Sequence, residues 1–236
     1  IAQSEIRYRN VKQLQVRHLN FAYPDGKQIL KDISFKAEKG QIIGITGPVA
    51  CGKSTLGKVF LCEYPYEGQI LVDGKELQNM PQSWQTNIIG YLGHDPELFN
   101  DSVENNVLMG EQKKTEDFLK MVCMAEEVNE MDDGLQTLVG NGGVRLSGGQ
   151  GKRLALARTL CHKKTVLILD DPFSALDKST ERQIFANLKQ QTKDNIVFLI
   201  SHRLYLFPQM DQVIWMEDGK AVVGTHEEIL EKIPEY

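Results

Sequence analysis

Residues 47–55 read Gly-Pro-Val-Ala-Cys-Gly-Lys-Ser-Thr, a G-x-x-x-x-G-K-[ST] spacing that follows the apolar run Gln41–Thr46. Such a loop needs a strand to deliver it and a helix to leave by. The helix is legible too, because Leu56, Val59 and Phe60 recur at the i, i+3, i+4 rhythm of one helix face. Gly47 and Gly52 let the backbone curl so that successive N–H groups point inward at phosphate oxygens. The following helix adds its positive end. Lys53 supplies a mobile cation for the β and γ phosphates, and Ser54 a hydroxyl for Mg²⁺. The whole segment, Gly47, Pro48, Val49, Ala50, Cys51, Gly52, Lys53, Ser54 and Thr55, is the candidate cradle for the phosphates of a nucleotide, a loop that by itself fits several classes of nucleotide-binding protein. Amide dipoles around Cys51 favour a thiolate, so the sequence predicts either a small residue that fits or a thiol that ATP protects from alkylation.

Other apolar runs extend the picture. Thr165–Asp170 and Ile196–Ser201 read as buried strands like Gln41–Thr46, and a helical stretch opens at Thr115. There Thr115 reads as an N-cap before Glu116 and Asp117, with Phe118, Val122 and Ala125 as the apolar stripe. Strands alternating with helices predict an α/β fold, a P-loop core with a mostly parallel sheet. Gln15–Phe21, Ile33–Ala37 and Gln69–Val72 instead alternate like half-exposed strands, which predicts a flanking antiparallel β portion. A mostly helical lobe is expected over about 95–160, with the core at about 1–94 and 161–236.

The run Val166–Asp171 ends in two carboxylates, Asp170 and Asp171. A strand parallel to the one before the phosphate loop would set Asp170 beside the Mg²⁺, through a water. Residues 146–150, Leu-Ser-Gly-Gly-Gln, form a second glycine-rich helix start with a hydroxyl donor, and so a second anion-binding surface. One phosphate tail does not need two such surfaces from one chain.

Leu146, Ser147, Gly148, Gly149 and Gln150, followed by Gly151-Lys152-Arg153 and Ala155-Leu156-Ala157-Arg158, resemble the signature of ABC transporter ATPases. The resemblance covers nearly the whole chain and implies ATP hydrolysis. It places Tyr23 against adenine, the Ser174–Asp177 loop against a partner domain, and His202 at the γ-phosphate. It also implies that two such domains pair head to tail, each signature covering ATP held by the other's phosphate loop. Residues 91–110 resemble the exporter subgroup, with Ser102-Val103 and Asn106 in its pattern, in which the domain follows six membrane helices of the same polypeptide. A chain that begins at Ile1 rather than Met agrees with that expectation, and the location implied is the cytoplasmic face of a membrane.

Two positions depart from the pattern. Asp171 stands where the family carries a catalytic Glu, and His94 where it carries a Gln that touches Mg²⁺; Asn141 replaces a frequent Glu. Lys53, Asp171, His202 and His94 are therefore the catalytic candidates, and Ser54, Asp170 and His94 the metal candidates. Slow turnover at this chain's own site is expected, as in the non-consensus half of a heterodimeric exporter. A homodimeric motor and an ATP-dependent clamp with little hydrolysis remain open.

Composition limits the other classes. The 236 residues are 41% hydrophobic with a net charge of −5, which gives no bulk signal for nucleic acid. No apolar run approaches the roughly 18 residues that cross a bilayer. The four cysteines lack metal-ligand spacing. Motors of repair or translation would show long coiled-coil insertions or tandem domains, and a phosphoryl-transfer kinase leaves the 146–150 motif unexplained.

Overall fold

Three strands have every residue buried: β3 (Ile42–Thr46), β9 (Val166–Asp170) and β10 (Ile196–Ile200). Burial on both faces is what near-continuous Ile, Val and Leu produce in a parallel sheet covered on each side. In the computed structural model, which describes residues 10–236, these strands lie side by side in a six-stranded sheet of order β12-β11-β3-β10-β9-β6. Its other members are β6 (Ile89–Leu92), β11 (Gln212–Glu217) and β12 (Lys220–Gly224), the last antiparallel at the edge. A second, antiparallel sheet of order β2-β1-β4-β5 joins β1 (Gln13–Ala22), β2 (Gln28–Glu38), β4 (Glu67–Val72) and β5 (Lys75–Glu76).

The helices are α1 (Lys53–Val59), α2 (Gln82–Ile88), α3 (Val103–Leu108), α4 (Thr115–Met121), α5 (Ala125–Asn129), α6 (Gly148–Cys161), α7 (Lys178–Gln191) and α8 (His226–Lys232). Contacts divide the chain into two units. One holds both large sheets and comprises residues through Tyr91, Lys164–Asp170 and Thr192–Tyr236; the other comprises Leu92–Lys163 and Asp171–Gln191.

In the sheet unit the helix after the phosphate loop sits directly on the buried strands. A Cβ on Gly57 would lie 3.0 Å from Ile168 Cγ2 and 3.2 Å from Ile200 Cδ1, so a larger residue there would push these isoleucine side chains aside and glycine lets α1 sit close to the strands. Phe198 stacks on Phe60 with 5.5 Å between ring centroids and meets Phe35 edge-on at 5.7 Å, tying α1 and β2 to β10. Such aromatic pairs contribute about 0.5–1.5 kcal/mol each beyond the area they bury.

In the helical unit β7 (Asp101–Ser102), which pairs with β8 (Leu138–Val139), leads into α3, which Ser102 caps by accepting from Asn105 N at 3.0 Å. Asn106, fully buried, is its hub. Its Oδ1 accepts from Phe99 N, its Nδ2 donates to the carbonyls of Phe99, Asp101 and Ser102, and Arg158 of α6 donates to both its side chain and its backbone. This explains in physical terms why Ser102 and Asn106 stand four residues apart.

The start of α4 differs from expectation. Thr115 is the first helical residue and is buried, with Lys114 at the N-cap position, and the helix ends at Met121. Leu119 fills the buried face, and Ala125 opens the next helix. The acids Glu116 and Asp117 do occupy the first turn.

Candidate functional site

Strand register brings the chemistry together. Ile200 of β10 pairs with Ile45 of β3 on one side and with Asp170 of β9 on the other, so the three strands finish in one row. From that row leave the loop beginning at Gly47, the carboxylate of Asp170, and the Ser201–His202 turn. Ligands of open α/β sheets bind outside such carboxyl ends.

The loop has the shape its glycines predict. Gly47 has φ 147°, and a Cβ there would fall 2.0 Å from the Met216 carbonyl oxygen, so no other residue fits without moving β11. Ala50 and Gly52 also take positive φ, 60° and 100°, and Gly52 sets the N-cap of α1. Lys53 is buried, and its ammonium donates to the carbonyls of Gly47 at 2.7 Å and Pro48 at 2.9 Å. The cation thus lies inside its own loop, where an anionic tail would meet it. Val49 and Ser54 are exposed, Thr55 half-buried. Cys51 is only 5% exposed and belongs to the hydrophobic core, which limits access of a thiol reagent.

Asp170 is 4% exposed at the end of its strand. Together with the Ser54 hydroxyl it offers hard oxygen donors, few in number, which suits a cation that keeps waters and substrate oxygens in its shell. Tyr91, on the neighbouring β6, has a buried hydroxyl with no hydrogen-bond partner among the described residues. Burial, and after it the Asp170 carboxylate, pushes that phenol up to about 12. Nothing in the sequence around Tyr91 signals this, since a tyrosine in an apolar strand does not reveal what its tip faces.

Tyr23 meets Phe21 edge-on at 5.0 Å and Tyr64 at 5.7 Å. It lines a shallow cleft with Thr55, Lys58 and Glu63, so an aromatic ring does stand beside α1. Tyr64, 43% exposed, was a second aromatic that its loop position concealed. His202 is exposed at the turn after β10, where Arg203 N donates to Ser201 Oγ at 3.0 Å.

In the helical unit, Ser147 caps α6 reciprocally. Its hydroxyl accepts from Gln150 N at 3.2 Å, while Gln150 Oε1 accepts from Ser147 N at 3.0 Å. Gln150 also donates to Glu127, which Arg153 holds by two bonds of 2.7 and 2.9 Å. Burial alone would raise Glu127, but the hydrogen bonds from Arg153 and Gln150 and the guanidinium charge outweigh it and hold this carboxyl below its ordinary range. Leu146 leads into the cap, and Gly148 and Gly149 form the first turn.

Asp171 also lies in this unit, with φ 50°, a left-handed conformation uncommon outside glycine, though aspartate adopts it more readily than most residues. Its Oδ2 is 3.5 Å from His94 Nδ1, and His94 is 56% exposed against 19% for Asp171. Asp177 caps α7, accepting from Thr180 N at 3.0 Å and Thr180 Oγ1 at 2.6 Å, and these bonds lower its carboxyl.

Comparison with known proteins agrees with this geometry. The family model described as "ABC transporter" matches residues 30–174. The chain is similar to ATP-binding cassette sub-family B member 6 of Xenopus tropicalis, 35% identical over 93% of this chain and 27% of that protein. It is similar also to the probable multidrug resistance ABC transporter ATP-binding/permease protein YheI of Bacillus subtilis, 37% identical over 90% of this chain and 38% of that one. A solved bacterial Atm1-family ABC exporter with ATP bound superposes with a TM-score of 0.89 at 28% identity, covering 95% of this chain and 41% of the other. The chain spans about two-fifths or less of each. Among the described residues, no helix is long and apolar enough to cross a membrane.

Proposed function

Because this chain belongs to the ABC transporter family of ATP-binding domains, and binds and hydrolyses ATP as such, we propose that it is the motor of an exporter. The observation that carries this reading is the row formed by the phosphate loop, Asp170 and the Ser201–His202 turn at the ends of β3, β9 and β10. The whole of 1–236 acts as one nucleotide-binding domain, with the signature on its helical lobe at about 95–160.

Each residue then has a task. The loop amides and Lys53 bind the phosphates, and Tyr23 stacks on the adenine. Ser54 and Asp170 hold Mg²⁺, which when bound neutralises charge on the phosphate oxygens. Asp171 orients the attacking water, and His202 contacts the γ-phosphate, fixing where negative charge develops. The signature at Leu146–Gln150 closes over ATP on a second such domain, whose own signature closes over this one. A membrane-spanning portion, of the kind an ATP-binding/permease protein carries, converts closure into transport, with this domain at the cytoplasmic face.

Asp171 favours a second reading of the same site. Its carboxylate is shorter than a glutamate's by one methylene, roughly 1.5 Å of reach, and it rests against His94. The chain's own site then holds ATP and turns over little, while its signature completes the productive site of a Glu-bearing partner. A clamp of this kind and a slow homodimer differ in one measurement. Mixing with an excess of catalytically dead copies of the same chain lowers hydrolysis in a homodimer and leaves it unchanged where this chain does not self-pair. Loss of nucleotide binding on Lys53→Ala tests the ATP site itself.

A further inference from the structure

The loop that follows Asp170 is gripped from one side by a single lysine. Lys152, in the second turn of α6, donates from its ammonium to the Asp171 carbonyl at 3.3 Å and to the Ser174 hydroxyl. The first turn of the same helix touches the other end of the loop. A Cβ on Gly149 would lie 3.0 Å from the Ala175 carbonyl oxygen and 3.0 Å from Leu176 Cδ2. Between these contacts Phe173, 1% exposed, anchors the middle. The two residues with unusual backbone, Asp171 at φ 50° and Ala175 at φ 64°, are the ones that α6 touches through Lys152 and Gly149. A left-handed non-glycine residue persists only where its surroundings hold it. The ammonium reaches the Asp171 carbonyl at a long 3.3 Å and closes more tightly on the Ser174 hydroxyl, so one charged donor spans both ends of the Asp171–Ser174 stretch.

We propose that Lys152 is a positioning residue for ATP hydrolysis: it fixes the Asp171 backbone, and with it the direction of the Asp171 carboxylate, to the signature helix. Two consequences follow from the placement. A displacement of Ser147–Gln150 is transmitted to Asp171 through one rigid connection, the first two turns of α6. Because the signature serves ATP on a partner while Asp171 serves this chain's own ATP, Lys152 makes each site sensitive to occupancy of the other. The proposal rests on the reading of Asp171 as the carboxylate of the hydrolytic site.

The test uses Lys152→Met, which keeps the stem and removes the donor, and Lys152→Arg, which keeps a cationic donor, each in the full chain. Hydrogen–deuterium exchange of the segment 171–177 reads the grip directly, and kcat, KM and the Kd of a fluorescent ATP analogue read its consequence. The account predicts that Lys152→Met speeds exchange in 171–177 by about tenfold, with the rest of the chain unchanged. It predicts also that kcat falls by about 10- to 100-fold while nucleotide Kd stays within twofold, since a misplacement of about 1 Å costs that much. Lys152→Arg restores both readouts to within a few-fold. Unchanged exchange in 171–177, or faster exchange with kcat intact, overturns the proposal. Faster exchange and lower stability throughout the chain, not rescued by Arg, also overturns it in favour of a purely structural lysine. Asp171→Asn serves as the separate control: if it leaves kcat unchanged, the reading of Asp171 fails, whereas the exchange result still decides whether Lys152 holds the loop.

Discussion

His94 Nδ1 lies 3.5 Å from Asp171 Oδ2, so two of the residues that the resemblance to ABC ATPases marks as departures face each other. The distance is long for a hydrogen bond but within range of an ion pair. Residues in contact do not act additively. The cycle of His94→Gln, Asp171→Glu and the double variant is therefore expected to show a coupling of about 0.5–3 kcal/mol in kcat. Effects that add to within about 0.5 kcal/mol would mean that the two departures are independent.

Lys53 answers to its own loop before any ligand arrives, through Gly47 and Pro48. Replacing it by alanine removes the cation the phosphates meet. A hydrogen bond to a charged group contributes about 1.5–3 kcal/mol, so Lys53→Ala is expected to weaken ATP binding by about 10- to 100-fold. Fluorescence titration with a labelled nucleotide checks it, and an unchanged Kd would place the phosphates elsewhere.

Glu127 gives the helical unit a pH dependence of definite sign. Its folded carboxyl is held below the ordinary 4.5 by Arg153 and Gln150 despite partial burial. A depressed carboxylate contributes stability that is fully present above the unfolded value and is lost as pH falls through the folded one. Thermal melts from pH 7 to 3 should therefore show wild type losing more Tm below pH 4.5 than Glu127→Gln does. Parallel curves would show that the Arg153–Glu127 pair carries no net stability, as exposed pairs often do not.

Much of the fold was legible because burial writes itself into composition. Ile42–Thr46, Val166–Asp170 and Ile196–Ile200 are buried throughout and apolar up to Thr46 and Asp170 at their ends because both faces are covered, and the alternation in β1 and β2 marks one covered face. The phosphate loop and the Ser147–Gln150 cap are local, so spacing alone reveals them. What spacing could not reveal is long-range. Nothing near Lys152 announces that its ammonium reaches Asp171 and Ser174, nor near Arg153 that its partner is Glu127. The error at Thr115 has a simple origin: a threonine before two acids looks like a cap, but its side chain is buried and the helix starts one residue earlier than that reading allows.

Gly47 offers a test of the site's geometry apart from activity. Gly47→Ala puts a methyl group 2.0 Å from the Met216 carbonyl oxygen at a φ of 147°. Strain of this kind costs about 1–3 kcal/mol, and the clash adds to it. Urea unfolding should show a loss of at least about 2 kcal/mol, with ATP no longer raising the midpoint. Wild-type stability in this variant would contradict the loop conformation.

The central claim is that this site is an ABC ATPase site slowed by a carboxylate one methylene short. Steady-state ATP hydrolysis at high protein concentration, wild type beside Asp171→Glu with nucleotide binding measured in parallel, addresses it most directly. The account predicts that both bind ATP alike and that the Glu variant turns over at least about tenfold faster, as a carboxylate restored by roughly 1.5 Å should. A wild type that already hydrolyses at about 1 s⁻¹ or more, or a Glu variant no faster than it, would contradict the claim.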